Sequence, residues 1–115
     1  MAYLKSFSSG MILLKIENNY IKEFSGMIKY KIQDNKITDF SGRILYCIDD
    51  NFVKSFSGRI LLNISYDSVK TFSGQIIARF DNEYIKEFSG RILYKIDGFL
   101  SRREMVALLT ILFAN

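Results

Sequence analysis

Apolar and polar residues alternate over short stretches of the chain, and the alternation restarts every 16 residues. In one copy Ile28, Tyr30 and Ile32 occupy every second position, and lysines lie between them. A period of two with one polar face is typical of a half-buried β-strand. The opposite face starts with an apolar residue in most copies, so we expect both faces to be covered there. These residues are Leu13, Leu45, Leu61, Ile77 and Leu93.

The triplet Phe-Ser-Gly marks the repeat. It begins, 16 residues apart, at Phe24, Phe40, Phe56, Phe72 and Phe88, and once more at Phe7 with an extra serine inserted. A fixed short period indicates one supersecondary unit copied end to end. A second short strand is predicted before each triplet, and its apolar residues are Leu4, Ile21, Ile37, Val53, Val69 and Ile85.

Each triplet is predicted to reverse the chain. Ile21 and Phe24, for example, are three positions apart, and an odd step cannot keep both on one face of an undisturbed strand. A three-residue hairpin loop with serine in the turn and a left-handed glycine, accompanied by a β-bulge, resolves this conflict. We therefore expect positive φ at Gly10, Gly26, Gly42, Gly58, Gly74 and Gly90.

Short polar links join one copy to the next. Asn and Asp, which tolerate left-handed backbone, are frequent in them, and this composition predicts tight reversals between hairpins. The links are residues 17–19, 33–35, 49–51, 65–67 and 81–83.

These patterns predict one mainly β domain over residues 1–115. Six antiparallel hairpins occupy residues 1–98, as a continuous meander or around a pseudo-symmetry axis, and an apolar helix occupies residues 101–114. The alternative is a β-solenoid with one 16-residue coil per repeat, in which equivalent strands one repeat apart would pair. Abundant Ile, Phe and Tyr favour strands, and the absence of proline suits ladders in which most backbone N–H groups are bonded.

The C-terminal segment has the pattern of a helix. Ser101 and Glu104 form a capping box, in which each side chain accepts a hydrogen bond from the other residue's backbone N–H. The helix predicted from about Arg102 to Phe113 is apolar on every side, so we expect it to be buried. At about 18 Å it is shorter than the roughly 30 Å of a bilayer core.

Three placements of this helix remain open from the sequence. It fills the centre of the hairpins, packs against another copy of the chain, or anchors at a membrane interface beside Arg102 and Arg103. For the second placement the candidate association residues are Met105, Leu108, Leu109, Ile111, Leu112 and Phe113.

The repeat also supports a family resemblance. Residues 84–97 read aromatic-Ile-Lys-x-Phe-Ser-Gly-Arg-Ile-Leu-Tyr-Lys-Ile-Asp, and variants of this unit run from about Tyr3 to Ile96 before an Asp-Gly and an apolar tail. In this style of repeat the chain resembles the small bacterial β-flower proteins. The resemblance implies hairpins that radiate like petals around a pseudo-rotation axis, and it implies no catalytic or binding residue.

Residue chemistry gives little support for an enzyme. The chain has no histidine and one cysteine, Cys47, so neither a histidine-activated nucleophile nor a His/Cys metal site is expected. We expect no cofactor, and we identify no small-molecule substrate. Glu23, Asp39 and Glu87 hold one repeat position and are interpreted as solvent-facing. A single cysteine and the absence of a signal-peptide pattern at the N-terminus predict a cytoplasmic protein.

The net charge of +4 is spread along the chain. A column of lysines at one repeat position either keeps strands from aggregating or forms a ring that attracts an anionic partner; its members are Lys5, Lys22, Lys54, Lys70 and Lys86. Because the Tyr and Phe residues recur at what we interpret as core positions, nucleic-acid binding is not expected.

For function, the sequence favours a non-enzymatic structural or interaction module that associates with itself through the helix or an apolar sheet face. The alternative is a binding protein that presents a mildly basic, pseudo-symmetric surface to a polyanion or a membrane surface, with membrane contact the less favoured of its forms.

Overall fold

A computed structural model describes residues 1–114. It contains twelve strands and one helix. In chain order these are β1 (Ala2–Ser6), β2 (Ile12–Glu17), β3 (Tyr20–Glu23), β4 (Ile28–Gln33), β5 (Lys36–Asp39), β6 (Ile44–Asp49), β7 (Phe52–Ser55), β8 (Ile60–Ile64), β9 (Ser68–Thr71), β10 (Ile76–Phe80), β11 (Tyr84–Glu87), β12 (Ile92–Gly98) and α1 (Arg102–Phe113).

Every strand pairs antiparallel with its neighbours in sequence, and β1 pairs with β12, so the meander closes into a barrel. Within the second copy, Ile21 of β3 lies opposite Tyr30 of β4 and, on its other side, opposite Ile16 of β2. The prediction of a mainly β fold of six hairpins with a C-terminal helix is confirmed. The solenoid alternative is wrong, because strands pair with sequence neighbours and not with equivalent strands one repeat away.

Two kinds of turn define the two ends of the barrel. At the end that we call the Gly end, the Glu23 N–H donates to the Met27 carbonyl (2.8 Å) and the Gly26 N–H donates to the Glu23 carbonyl (2.9 Å), which closes a three-residue loop. The repeat glycines there have φ of 71° at Gly10 and 96–99° in the other five copies. At the opposite, link end, the chain reverses through the polar links, with Asn18 and Asn19 at φ of 52° and 66°.

The helix fills the interior of the barrel. Twelve strands spaced about 4.8 Å apart make a ring of about 9 Å radius even before they tilt, and side chains alone fill a ring of about eight strands. The six consecutive residues from Met105 to Thr110 are all buried. Steps of 100° carry six residues around every side of a helix, so α1 is enclosed all round. Of the three placements that the sequence left open, the structure shows the first.

Contacts with two links fix how the helix sits. Ser101 and Glu104 form the capping box. The Arg102 guanidinium donates to the Ser65 carbonyl (2.8 Å), and the Glu104 carboxylate accepts from the Asn19 N–H (3.4 Å). Those links lie three repeats apart in a ring of six, hence on opposite sides. The helix enters at the link end, so its last turn points toward the Gly end.

The seam between β1 and β12 closes the ring. Lys5 Nζ lies 2.8 Å from an Asp97 carboxylate oxygen across the seam, and this hydrogen bond and charge lower the pKa of Asp97. Ala2 lies opposite Gly98, whose φ is +116°. A Cβ at Gly98 would collide with the Met1 carbonyl oxygen and approach the Ala2 Cα to 3.0 Å.

We expect Gly98→Ala to weaken the seam more than a matched change at a loop glycine. Gly58 also has positive φ, but a Cβ there would meet no atom within 4 Å, so Gly58→Ala carries backbone strain alone, of about 1–2 kcal/mol. Gly98→Ala adds a backbone collision, and we expect it to lower the free energy of unfolding by at least about 1 kcal/mol more. Urea denaturation of both variants measures this, and equal losses would contradict the role given to Gly98.

Because the helix forms the centre of the core, we expect the same leucine-to-alanine substitution to destabilise the protein by different amounts at two positions of the helix. Leu108 is fully buried, whereas Leu112 in the last turn is half-buried. We expect Leu108→Ala to lower the free energy of unfolding by about 2–5 kcal/mol, because it leaves a cavity inside the barrel. Leu112→Ala is the control and should cost clearly less. If Leu112→Ala costs as much, the helix is not enclosed as described.

Candidate interaction surface

The phenylalanines of the repeat triplets lie on the surface. Phe7 is 50% exposed, and the other five are 69–77% exposed. The expectation that these aromatic residues sit at core positions is therefore wrong. Each phenylalanine is the first residue of its loop and lies beyond the last pair of the ladder. The least exposed, Phe7, also contacts the ring of Tyr84 in β11 edge to face, with ring centroids 6.2 Å apart.

The residue before each phenylalanine holds the loop in shape. The Asp39 carboxylate accepts from the Ser41 hydroxyl (2.6 Å), the Ser41 N–H (2.9 Å) and the Arg43 N–H (3.0 Å), and these bonds lower its pKa. Ser55 does the same work with a hydroxyl, which accepts from the Arg59 N–H (3.2 Å). The sequence interpretation of this position as merely solvent-facing missed the role, although short oxygen-bearing side chains before tight turns indicate it.

Grooves separate neighbouring hairpins at the Gly end. One, of about 770 Å³, has residues 42–45 of the third hairpin on one wall and Phe56 of the fourth on the other. A second, of about 560 Å³, has residues 90–93 of the sixth hairpin facing Phe7 of the first. Each therefore combines an arginine, a half-buried leucine and an exposed aromatic ring at equivalent repeat positions.

The isoleucine that begins the second strand of each hairpin is also partly exposed at the Gly end. Ile60 is the most exposed at 38% and the others are half-buried; the set is Ile12, Ile28, Ile44, Ile60, Ile76 and Ile92. Two residues further along the second and third hairpins, Tyr30 and Tyr46 are half-buried against the core, and burial, together with the nearby Tyr30, raises the pKa of Tyr46. Half-buried Ile111 and Phe113 end the helix.

Exposed apolar residues are concentrated at this end. We define the Gly half as residues 5–13, 22–29, 38–45, 54–61, 70–77 and 86–93. Of fourteen exposed large apolar residues among residues 1–114, ten belong to the Gly half, and the other four are Met1, Phe52, Tyr66 and Phe99. The surface therefore has one apolar end.

The net charge also differs between the Gly half and the rest of the chain. The Gly half contains nine basic and three acidic residues, a net charge of +6, and the rest of the chain contains seven basic and nine acidic residues, a net charge of −2. The mild overall charge of +4 conceals this asymmetry. The positive end and the apolar end are the same end.

Ion pairs reduce part of this positive charge. In the lysine column, Lys22 and Lys54 lie 3.8 and 3.0 Å from carboxylates of the link half, as Lys5 does at the seam. Within residues 1–114, Arg43 and Arg59 beside the loops form no ion pair, whereas Arg91 lies 3.5 Å from the Glu87 carboxylate. Among these described residues, the unpaired cations of the Gly half therefore include Arg43 and Arg59 beside the rings as well as Lys70 and Lys86 of the lysine column.

The candidate association residues of the helix and Cys47, also considered in the sequence analysis, are buried or half-buried in the structure. The helix residues Met105, Leu108 and Leu109 are buried inside their own barrel, while Ile111, Leu112 and Phe113 remain half-buried in its last turn. Cys47 is a half-buried residue of β6.

Searches of family models, curated proteins and solved structures return no match to this chain. Among residues 1–114, no helix has the length and apolar character needed to cross a membrane.

The loop cap at Asp39 predicts a local response to acid. Its pKa lies below the ordinary value of 3.8, so the carboxylate supports the loop fully above about pH 4 and loses this effect as pH falls through the lowered pKa. We expect the Ser41 and Arg43 amide protons to shift in NMR spectra with a midpoint below 3.8. The Ser57 and Arg59 amides, in the loop capped by a hydroxyl, are the control. A midpoint above 3.8 would contradict the assignment.

Proposed function

We propose that this protein is a non-enzymatic interaction module that binds through the Gly end of its barrel. The observation that carries the proposal is the concentration of ten of fourteen exposed large apolar residues there. Exposed apolar residues that are grouped at one end of a protein, in contrast to single scattered ones, indicate an interaction site. The carboxylates and hydroxyls beside the rings are engaged in capping the loops, which supports a binding role for this end over a catalytic one.

We further propose that the barrel is a six-hairpin member of the β-flower group. Support comes from six similar hairpins in one closed ring, five of which end in the same three-residue glycine loop and one in a loop with an extra serine. In this view the strands and the helix form the base of the flower, and the exposed loops are the tips of the petals.

Any self-association, the leading expectation from the sequence, would use the apolar end and not the whole helix. Met105, Leu108 and Leu109 are enclosed by their own chain and offer no surface to a second copy. The six phenylalanine tips remain exposed, and they are the apolar surface that a second copy could reach.

A comparison of two triple variants tests which end binds. The first variant removes three loop phenylalanines of the Gly end through Phe24→Ser, Phe40→Ser and Phe56→Ser. The second removes three exposed aromatic residues of the link end through Phe52→Ser, Tyr66→Ser and Phe99→Ser. The first variant should lower retention on a phenyl matrix and any self-association in sedimentation velocity, because its rings are 69–73% exposed in one region. The second should change both less. A larger effect of the link-end variant would overturn the proposal, and circular dichroism verifies folding.

A further inference from the structure

We propose that the Gly end docks on the surface of a bilayer that contains anionic phospholipids. This inference rests on the proposed function and names the partner of the same end. The six phenylalanine tips would enter the interfacial region, and the arginines between them would contact lipid phosphates. The link half, with its net charge of −2, would face away from the membrane.

The arrangement of the tips favours a flat and fluid partner. The hairpins share one register, for example Ile21 opposite Tyr30, Ile37 opposite Tyr46 and Val53 opposite Leu62, so their loops lie at one level around the axis. The molecule is a disc with extents of 36 × 35 × 20 Å. The tips are therefore spread around a broad rim and do not form one compact patch. A compact protein ligand would contact a few of them, whereas a bilayer surface contacts all six.

The chemistry of each tip suits the membrane interface. In five of the six loops the phenylalanine side chain is about 70% exposed. In three copies the residue that follows the loop glycine is an arginine, namely Arg43, Arg59 or Arg91. Arginine binds phosphate oxygens through a planar fork of donors, and anionic lipids attract basic surfaces. Each described groove places such an arginine within the same cleft as a half-buried leucine and a phenylalanine. A lipid supplies both a phosphate and an apolar chain.

Two other partners for the Gly end, a second copy of the chain and a soluble polyanion, fit it less well. A second copy docked Gly end to Gly end would bring a net charge of +6 against +6 at close range. A soluble polyanion would satisfy the charge but would leave most of the six rings in water. An anionic bilayer matches both the apolar rim and the sign of the charge.

Co-sedimentation with vesicles tests the inference on the full chain. The probes are phosphatidylcholine vesicles with about 30 mol % phosphatidylserine, and vesicles of phosphatidylcholine alone. We expect the wild-type protein to bind the anionic vesicles more tightly, with affinity falling as NaCl rises from about 0.05 to about 0.5 M. The tip variant F24S/F40S/F56S should lose more than about tenfold in binding, and the link-end variant F52S/Y66S/F99S should lose little.

The arginines give a second, separable measurement. Arg43→Gln with Arg59→Gln should weaken binding to anionic vesicles by about thirtyfold and leave binding to phosphatidylcholine nearly unchanged, since each basic residue contributes about fivefold at an anionic surface. The matched control is Arg79→Gln with Lys95→Gln, which removes two exposed cations of the link half. Equal losses in both double variants would show attraction by overall charge and would overturn docking by the Gly end.

The outcomes separate this inference from the proposed function. If the wild-type protein binds neither kind of vesicle but associates with itself in a way that the tip variant abolishes, the lipid inference fails and the proposed function stands. Binding to heparin that exceeds vesicle binding and survives loss of the tips would also overturn the lipid inference. If vesicle binding and self-association are both unaffected by the tip variant, both proposals fail.

Discussion

The structure depends on the packing of one helix inside one ring of strands, because neither part can bury its apolar surface alone. A ring of twelve strands is too wide for its own side chains to fill, so without α1 its inner face would enclose a void. The helix is apolar on every side and buried over six consecutive residues, so without the ring it would expose those residues to water. The repeats supply a wall, and the single element that does not repeat supplies the centre.

The six repeated hairpins and the single, non-repeated helix have different roles in this molecule. Because the ring has six similar repeats, the helix could lie in six nearly equivalent rotational positions inside it. The hydrogen bonds of Arg102 and Glu104 to two opposite links select one of these positions. The outer rim keeps its repetition, with one exposed phenylalanine per hairpin. The residue after each loop glycine varies, from Met27 to Arg43 to Gln75, so the rim is regular in shape and irregular in chemistry.

Local patterns in the sequence were enough to predict the strands, the loops and the helix. Alternation, the glycine in each triplet and the Ser101–Glu104 box all act within a few residues, where spacing determines geometry. Local patterns left open whether the hairpins form a continuous meander or close around an axis, because the pairing of β1 with β12 and the collision-free fit at Gly98 join distant parts of the chain. The exposure of the phenylalanines was mispredicted, since a hydrophobic residue repeated at one position resembles a core residue until the loop geometry is known. The charge asymmetry was missed because basic and acidic residues alternate along the chain and separate only when hairpins align.

The seam between β1 and β12 has a consequence for biosynthesis. Because β1 is made eleven strands before its partner β12, β1 keeps one unpaired edge until β12 has left the ribosome, and the interior stays open until α1 follows. Hairpins can form one by one during translation, because their contacts are local. The cooperative transition must wait for α1, and until then the lysines on the strands oppose pairing of the growing sheet with other chains.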